Sequence, residues 1–239
     1  MPLLGQENLP LTVLMCVLVS YGIGSMPFGL WIGLLWKGID IRTLGSKNIG
    51  ATNVLRVLGP GPGITVFLLD TLKGAVGVLL AYQLGVTTQL AMPFLVFIGL
   101  CAVLGHTFSP FLRFSGGKGI ATSLGVLLAL GWQVGLIGLG VWIIVVSLTR
   151  FVSLASLIAA LSLVFAAYFT LHGAQQSWMM GLCVLLFILV TVKHRPNIQR
   201  LLAGTEAKLG QRAPAPAAES PVPAGDTAPD HPVETAKEP

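Results

Sequence analysis

Residues 118–150, KGIATSLGVLLALGWQVGLIGLGVWIIVVSLTR, decide the architecture. About 30 mostly apolar residues lie between Lys118 and Arg150, broken by Gly131-Trp132-Gln133. Basic loops of membrane proteins stay in the cytoplasm. Lys118 and Arg150 share that side only if the chain between them is a hairpin of two short spans. Each arm then has about 15 residues and reaches about 22 Å at 1.5 Å per residue, short of the ~30 Å hydrocarbon core. Tilted neighbours, local thinning or burial in protein accommodate such arms. A single span would instead put the basic segment 193–212 outside.

The rest of the chain agrees with a membrane reading. Its 239 residues are 54% hydrophobic and only 10% charged, with mean hydropathy +0.83; a soluble domain is about 25% charged. The apolar runs are long and lack period-2 alternation, so they read as helices rather than barrel strands. Spans are expected at about 11–36, 64–82, 92–111, the two hairpin arms, 153–171 and 178–192. Lys and Arg are absent from the connections 83–91, 131–135 and 172–177. The expectation is an all-α polytopic membrane protein of seven transmembrane helices, with the N-terminus outside and the C-terminus cytoplasmic. Residues 1–210 form the membrane domain. Residues 211–239, rich in Ala and Pro, read as a disordered cytoplasmic tail. The first apolar run lacks a basic start and an A-x-A site, so it reads as a span that stays. Pro27 within it is expected to kink the helix and free a carbonyl. Cys16, Cys101 and Cys183 all fall in apolar runs and imply no disulfide framework.

Three polar stretches then face one side of the membrane. The first is 45–56, GSKNIGATNVLR. Gly45 and Gly50 let backbone turn and approach a ligand closely. Ser46, Asn48, Thr52 and Asn53 supply short hydrogen-bonding side chains, and Lys47 and Arg56 supply charge with no acid among them. Successive N–H groups in such a turn make an anion nest. A plain capped connection between helices is the alternative, but it does not need so many amides, hydroxyls and cations. The second stretch, Ser115-Gly116-Gly117-Lys118-Gly119, opens a helix whose N–H groups and dipole favour an anion. It is no Walker A, because Leu112 and Gly119 occupy the positions of its first glycine and its Ser/Thr. The third runs from Lys193 to Lys208. His194 and Asn197 face one ligand if the helix persists past Pro196; otherwise the segment is a positive-inside anchor. Ser153 and Ser156 either bond a ligand or cap their helix. Asp70 and Lys73 sit at i,i+3 within a span and read as a pair, structural or functional. His106 alone in a span reads as packing. No His, Cys or acid cluster has metal-ligand spacing, so no metal is expected.

Two cationic glycine-rich loops at one face point to two anionic groups, most simply phosphates, and the apolar body points to a substrate that is part lipid. There is no GxSxG elbow. No His is followed five residues later by Asp; positions 111, 177, 199 and 236 are Phe, Ser, Gln and Ala. A transporter or binding protein for an organic phosphate would share the basic face, but should show an internal repeat and a midplane site; neither is visible.

The stretches 45–56 and 115–125 (SGGKGIATSLG), the segment 194–208 (HRPNIQRLLAGTEAK), and LDTLKG at 69–74 together resemble the motifs of the bacterial membrane glycerol-3-phosphate acyltransferases that use acyl phosphate. The resemblance covers about residues 20–209, in order. It implies an inner-membrane enzyme, without cofactor, that moves an acyl group from acyl phosphate to the sn-1 hydroxyl of glycerol 3-phosphate, giving 1-acylglycerol 3-phosphate and phosphate for phospholipid synthesis. By motif, Ser46, Asn48, Gly50 and Asn53 would hold the acyl-phosphate headgroup. Arg56, Lys118, His194 and Asn197 would line the glycerol-phosphate site, joined by Ser153 or Ser156. Gly45 and Thr52 complete the first loop's substrate contacts, and Ser115, Gly116 and Gly117 the second's. Ser46, Arg56, Lys118, His194 and Asn197 form the expected catalytic set. The implied partners are the two substrates, the bilayer and the enzyme that makes the acyl phosphate; nucleic acid is not among them. Acyl phosphate is already activated, so no covalent enzyme intermediate is needed. His194 is expected to orient substrate while the leaving phosphate takes the proton.

Overall fold

The computed structural model describes residues 9–86 and 92–211. The tail 212–239 and part of the expected connection 83–91 therefore lie outside the described residues. Those residues form α-helices and one 3-10 turn, with no strand among them. In order the helices are α1 Leu9–Gly24, α2 Phe28–Lys37, α3 Ala51–Leu58, α4 Pro60–Gln83, α5 Met92–Thr107, α6 Ile120–Leu130, α7 Trp132–Thr149, α8 Val152–Thr170, α9 Gly173–Lys193 and α10 Arg195–Leu202.

Among the described residues, six segments are long and apolar enough to cross a membrane: Pro10–Lys37, Pro60–Gln83, Met92–Leu112, Trp132–Thr149, Val152–Thr170 and Gly173–Lys193. Apolar side chains such as Leu35, Leu148 and Phe169 point outward, as lipid-facing positions do. The expected hairpin arms are not equal. Gly131, extended at φ −165, breaks the chain so that α6 has 11 residues and α7 has 18. At 1.5 Å per residue α6 is only about 16 Å long.

Pro27 does more than kink its helix. It separates α1 from α2, and the carbonyls freed at the break are used. Ser109 Oγ donates to Ser25 O at 2.6 Å, and Lys73 Nζ donates to Met26 O at 2.8 Å. Other boundaries shift for local reasons. The turn expected over Gly59–Gly63 is made by Gly59 alone, at φ 94, and Pro60 already begins α4, where its missing N–H costs nothing. α9 starts at Gly173 rather than near Trp178. The first polar stretch is not all loop, since α3 occupies its second half and continues to Leu58.

α4 packs on α1, α3 and α6, while α7, α8 and α9 pack in sequence beside them. The core draws on six of the long helices and on α6, with Cys16, Val78, Ile98, Leu127, Val134, Ala167 and Leu182 essentially inaccessible. The α4–α6 crossing is close because each helix offers a glycine to the other. A Cβ on Gly74 would overlap Thr122 O, and one on Gly125 would overlap Thr71 O. Small residues permit such backbone approach where lipid supplies no hydrophobic drive.

Candidate active site

A cavity of about 350 Å³ opens between α3, α4, α6, α7, α8, α9 and the α10 segment. Its polar end gathers side chains that are far apart in sequence. Ser46, Asn48, Gly50, Thr52, Asn53 and Arg56 come from the first stretch, Lys118 from the second, His194, Asn197 and Glu206 from the third, and Ser153 and Ser156 from α8. The other end is an apolar arm walled by Leu124, Leu127, Leu139, Trp142, Ala160 and Leu163 among others.

The first loop is built around Asn53. Its Nδ2 donates to the carbonyls of Ile41, Leu44 and Asn48 at 2.9–3.1 Å, and its Oδ1 accepts the Ser46 N–H at 2.8 Å. Asn53 is 2% exposed, so its amide is spent holding the loop. Asn48 Oδ1 accepts the Gly50 N–H at 2.9 Å, which sets the extended Gly50 ahead of α3. Gly45 has φ +59, and a Cβ there would overlap Asn53 Oδ1. It shapes the loop and does not line the cavity. Arg56, on the last turn of α3, donates from Nη2 to Ala207 O at 2.9 Å. Its buried Nε has no hydrogen-bond partner among the described residues. Burial pulls the guanidinium down, with Glu206 opposing.

Lys118 and the third stretch form one network. Lys118 Nζ donates to Asn197 Oδ1 at 2.6 Å, and Asn197 Nδ2 donates to Glu206 Oε1 at 2.7 Å. The same Oε1 accepts Ser153 Oγ at 2.8 Å, and Oε2 accepts Arg200 Nε at 2.7 Å. Burial pushes the Glu206 carboxyl up. The hydrogen bonds from Asn197, Ser153 and Arg200 outweigh that and leave it below its usual range. Burial pulls Lys118 down to about 8, against the attraction of Glu206. His194 sits where α9 ends and α10 begins, and the helical turn at Pro196 keeps it beside Asn197. Its Nδ1 lies 2.8 Å from Val190 O. A carbonyl only accepts, so Nδ1 carries the proton and the Nε2 lone pair is the free function. Burial, reinforced by Lys118, pushes the imidazole down to about 4, so it is neutral near pH 7.

Ser115 and Gly116 are not brought to this cavity. They border a smaller one of about 290 Å³ with Arg42, Lys47, Asn48, Ile49 and Leu112. Gly117 is packed against His106. Ser153 joins the Glu206 network, whereas Ser156 Oγ donates to Val152 O at 2.9 Å and accepts the Trp142 Nε1–H at 3.2 Å. Sequence reasoning missed Glu206 as a site residue. The signal present was slight: it is the lone acid within the basic run 193–212. It also took His106 for packing, yet His106 and Asp70 both border the cavity.

Comparisons with known proteins point to one family. A sequence profile described as Glycerol-3-phosphate acyltransferase matches residues 14–204. A glycerol-3-phosphate acyltransferase of a Synechococcus species is 47% identical over 207 residues, covering 84% of this chain and 97% of the relative. One from Fusobacterium nucleatum is 45% identical over 192 residues, covering 80% and 95%. A crystal structure of PlsY (YgiH), an integral membrane glycerol 3-phosphate acyltransferase in its glycerol 3-phosphate form, superposes with TM-score 0.74 at 39% identity over 83% of this chain and 96% of its own. The lysophosphatidic acid form superposes with TM-score 0.72. Helical architecture and sequence coincide over nearly the full length of these relatives, and the chain belongs to the glycerol-3-phosphate acyltransferase family.

Proposed function

We propose that this protein acylates the sn-1 hydroxyl of glycerol 3-phosphate, with acyl phosphate as donor, at the cytoplasmic face of the bacterial inner membrane. The product is 1-acylglycerol 3-phosphate for phospholipid synthesis. The observation that carries this reading is the form of the cavity: a cationic, hydrogen-bonding end continuous with an apolar arm. Such a site suits a phosphorylated polyol and an acyl chain together. In this reading the chain crosses the membrane seven times, with α6 as a short span tucked against α4 and the N-terminus outside. Residues 1–210 are the catalytic unit, and the enzyme that makes the acyl phosphate is its partner.

The chemistry needs placement more than activation. The glycerol hydroxyl attacks the acyl carbonyl carbon, the bond from that carbon to the phosphate oxygen breaks, and phosphate leaves with the pair. Lys118 and Arg56 offset the growing anionic charge, where a fixed donor in a dry site is worth most. The Nε2 lone pair of neutral His194 accepts a hydrogen bond from the hydroxyl and aims it. A histidine held near pKa 4 is a weak base at neutral pH. The departing phosphate, which becomes more basic as the bond breaks, takes the proton. Glu206 and Ser153 keep Asn197 turned so that its carbonyl oxygen faces Lys118.

Lys118→Ala tests the site. It should lower kcat/KM at least about a hundredfold, since a transition-state charge contact is worth about 3 kcal/mol. Near-normal kcat/KM in folded Lys118→Met would remove this loop from the chemistry.

A further inference from the structure

Asp70, Lys73 and His106 are buried ionisable groups that the acyl-transfer chemistry does not use, with residual exposures of 2%, 2% and 4%. The ammonium of Lys73 is accounted for. It lies 2.7 Å from Asp70 Oδ1, donates to Met26 O at the α1–α2 break, and faces the Phe28 ring at 5.3 Å. Asp70 is not. Its Oδ1 has the lysine's charge beside it but accepts no hydrogen bond of good angle, and His106 Nδ1, 3.7 Å away, is also buried without a hydrogen-bond partner among the described residues. A buried carboxylate beside an imidazole favours the ring orientation that turns an N–H toward it.

The far side of the His106 ring meets the second glycine loop. A Cβ on Gly117 would overlap His106 Nε2, and one on Gly116 would overlap His106 O. The loop is also pinned through the main chain. His106 O accepts the Gly117 N–H and Thr107 O accepts the Gly116 N–H, both at 3.1 Å. The two glycines thus lie flat on the end of α5, and the next residue is Lys118, whose Nζ reaches Asn197. An apolar residue at 106 would fill the space without the desolvation penalty of a buried polar group. It would not offer a fixed polar edge against which the loop registers.

We propose that His106, oriented by the Asp70–Lys73 ion pair, is a positioning residue that sets the reach of Lys118 into the cavity. The LDTLKG stretch of α4 then serves the active site from within the span. The inference rests on the reading that Lys118 touches a substrate phosphate, and the test separates the two.

The test is a double-mutant cycle on purified full-length protein, with acyl phosphate and glycerol 3-phosphate as substrates. His106→Ala alone should lower kcat/KM by about tenfold or more, and the loss should fall in the same constant, kcat or KM, that Lys118→Ala lowers. In the Lys118→Ala background, His106→Ala should cost no more than about a further threefold. Losses that multiply would show that His106 does not act through Lys118 and would overturn the proposal. If Lys118→Ala itself turned over near the unaltered rate, the site reading would fall and the proposal with it. Gly117→Ala gives a second line, since its methyl group meets the ring. It should lose activity alone, and the pair Gly117→Ala/His106→Ala should recover to the level of His106→Ala; an unrelieved loss would overturn the proposal. Should His106→Ala not fold, Gly117→Ala takes its place in the cycle, with the same outcomes read.

Discussion

His194 and Glu206 show how one buried position differs from another in what sequence reveals. The i,i+3 spacing of His194 and Asn197 put both on one face of any helix that survived Pro196, and a proline in a first helical turn is well tolerated. Their meeting in the cavity was therefore legible. Glu206 was not. A lone acid in a basic segment reads as solvated, and its role depends on Ser153, 53 residues away, meeting it across α8. Nor did spacing reveal the tautomer of His194, which comes from the Val190 carbonyl. That tautomer and the low pKa lead to a prediction. His194→Gln should retain measurable turnover, with the loss mainly in KM for glycerol 3-phosphate. The kcat/KM profile of the unaltered protein should have no acidic limb near pH 6.5, because the imidazole is neutral throughout. It should instead fall on the alkaline side, as Lys118, held near 8, loses its proton above that pH. A normal KM, a kcat reduced by the ~10²–10⁴-fold expected of a lost general base, and an acidic limb abolished by the substitution would make His194 the base.

At the scale of helices, the long apolar runs and the break at Pro27 were readable because they depend on composition and on a missing N–H. The unequal hairpin was not. The break at Gly131 was visible, but dividing the run gave arms of about 15 residues, whereas α6 has 11 and α7 has 18. Tertiary packing makes the short arm viable, since α6 is buried against α4 through Gly74 and Gly125. α3 was hidden for a related reason: its stretch is too short to hold a helix alone and gains stability by lying on α4. Gly125→Val should force α6 away from the Thr71 carbonyl, costing about 1–3 kcal/mol as overpacking does, and should lower the unfolding temperature in detergent. An unchanged unfolding temperature with full activity would mean that the α4–α6 contact is looser than the structure has it.

For the whole molecule, the proposed seven spans put every cationic motif on one side of the membrane. Cysteines introduced one at a time, in a background lacking Cys16, Cys101 and Cys183, test this. Gln175→Cys should label from outside intact cells, and Ser115→Cys only after permeabilisation; external labelling at Ser115 would refute the orientation. Family membership leaves the acyl donor open. Purified protein in detergent should therefore be given acyl phosphate and labelled glycerol 3-phosphate, and both lysophosphatidate and released phosphate measured. Acyl transfer from acyl phosphate should yield the two products in equal amounts, with the acyl group at sn-1. No lysophosphatidate from acyl phosphate, with or without movement of glycerol 3-phosphate across a vesicle membrane containing the protein, would contradict it.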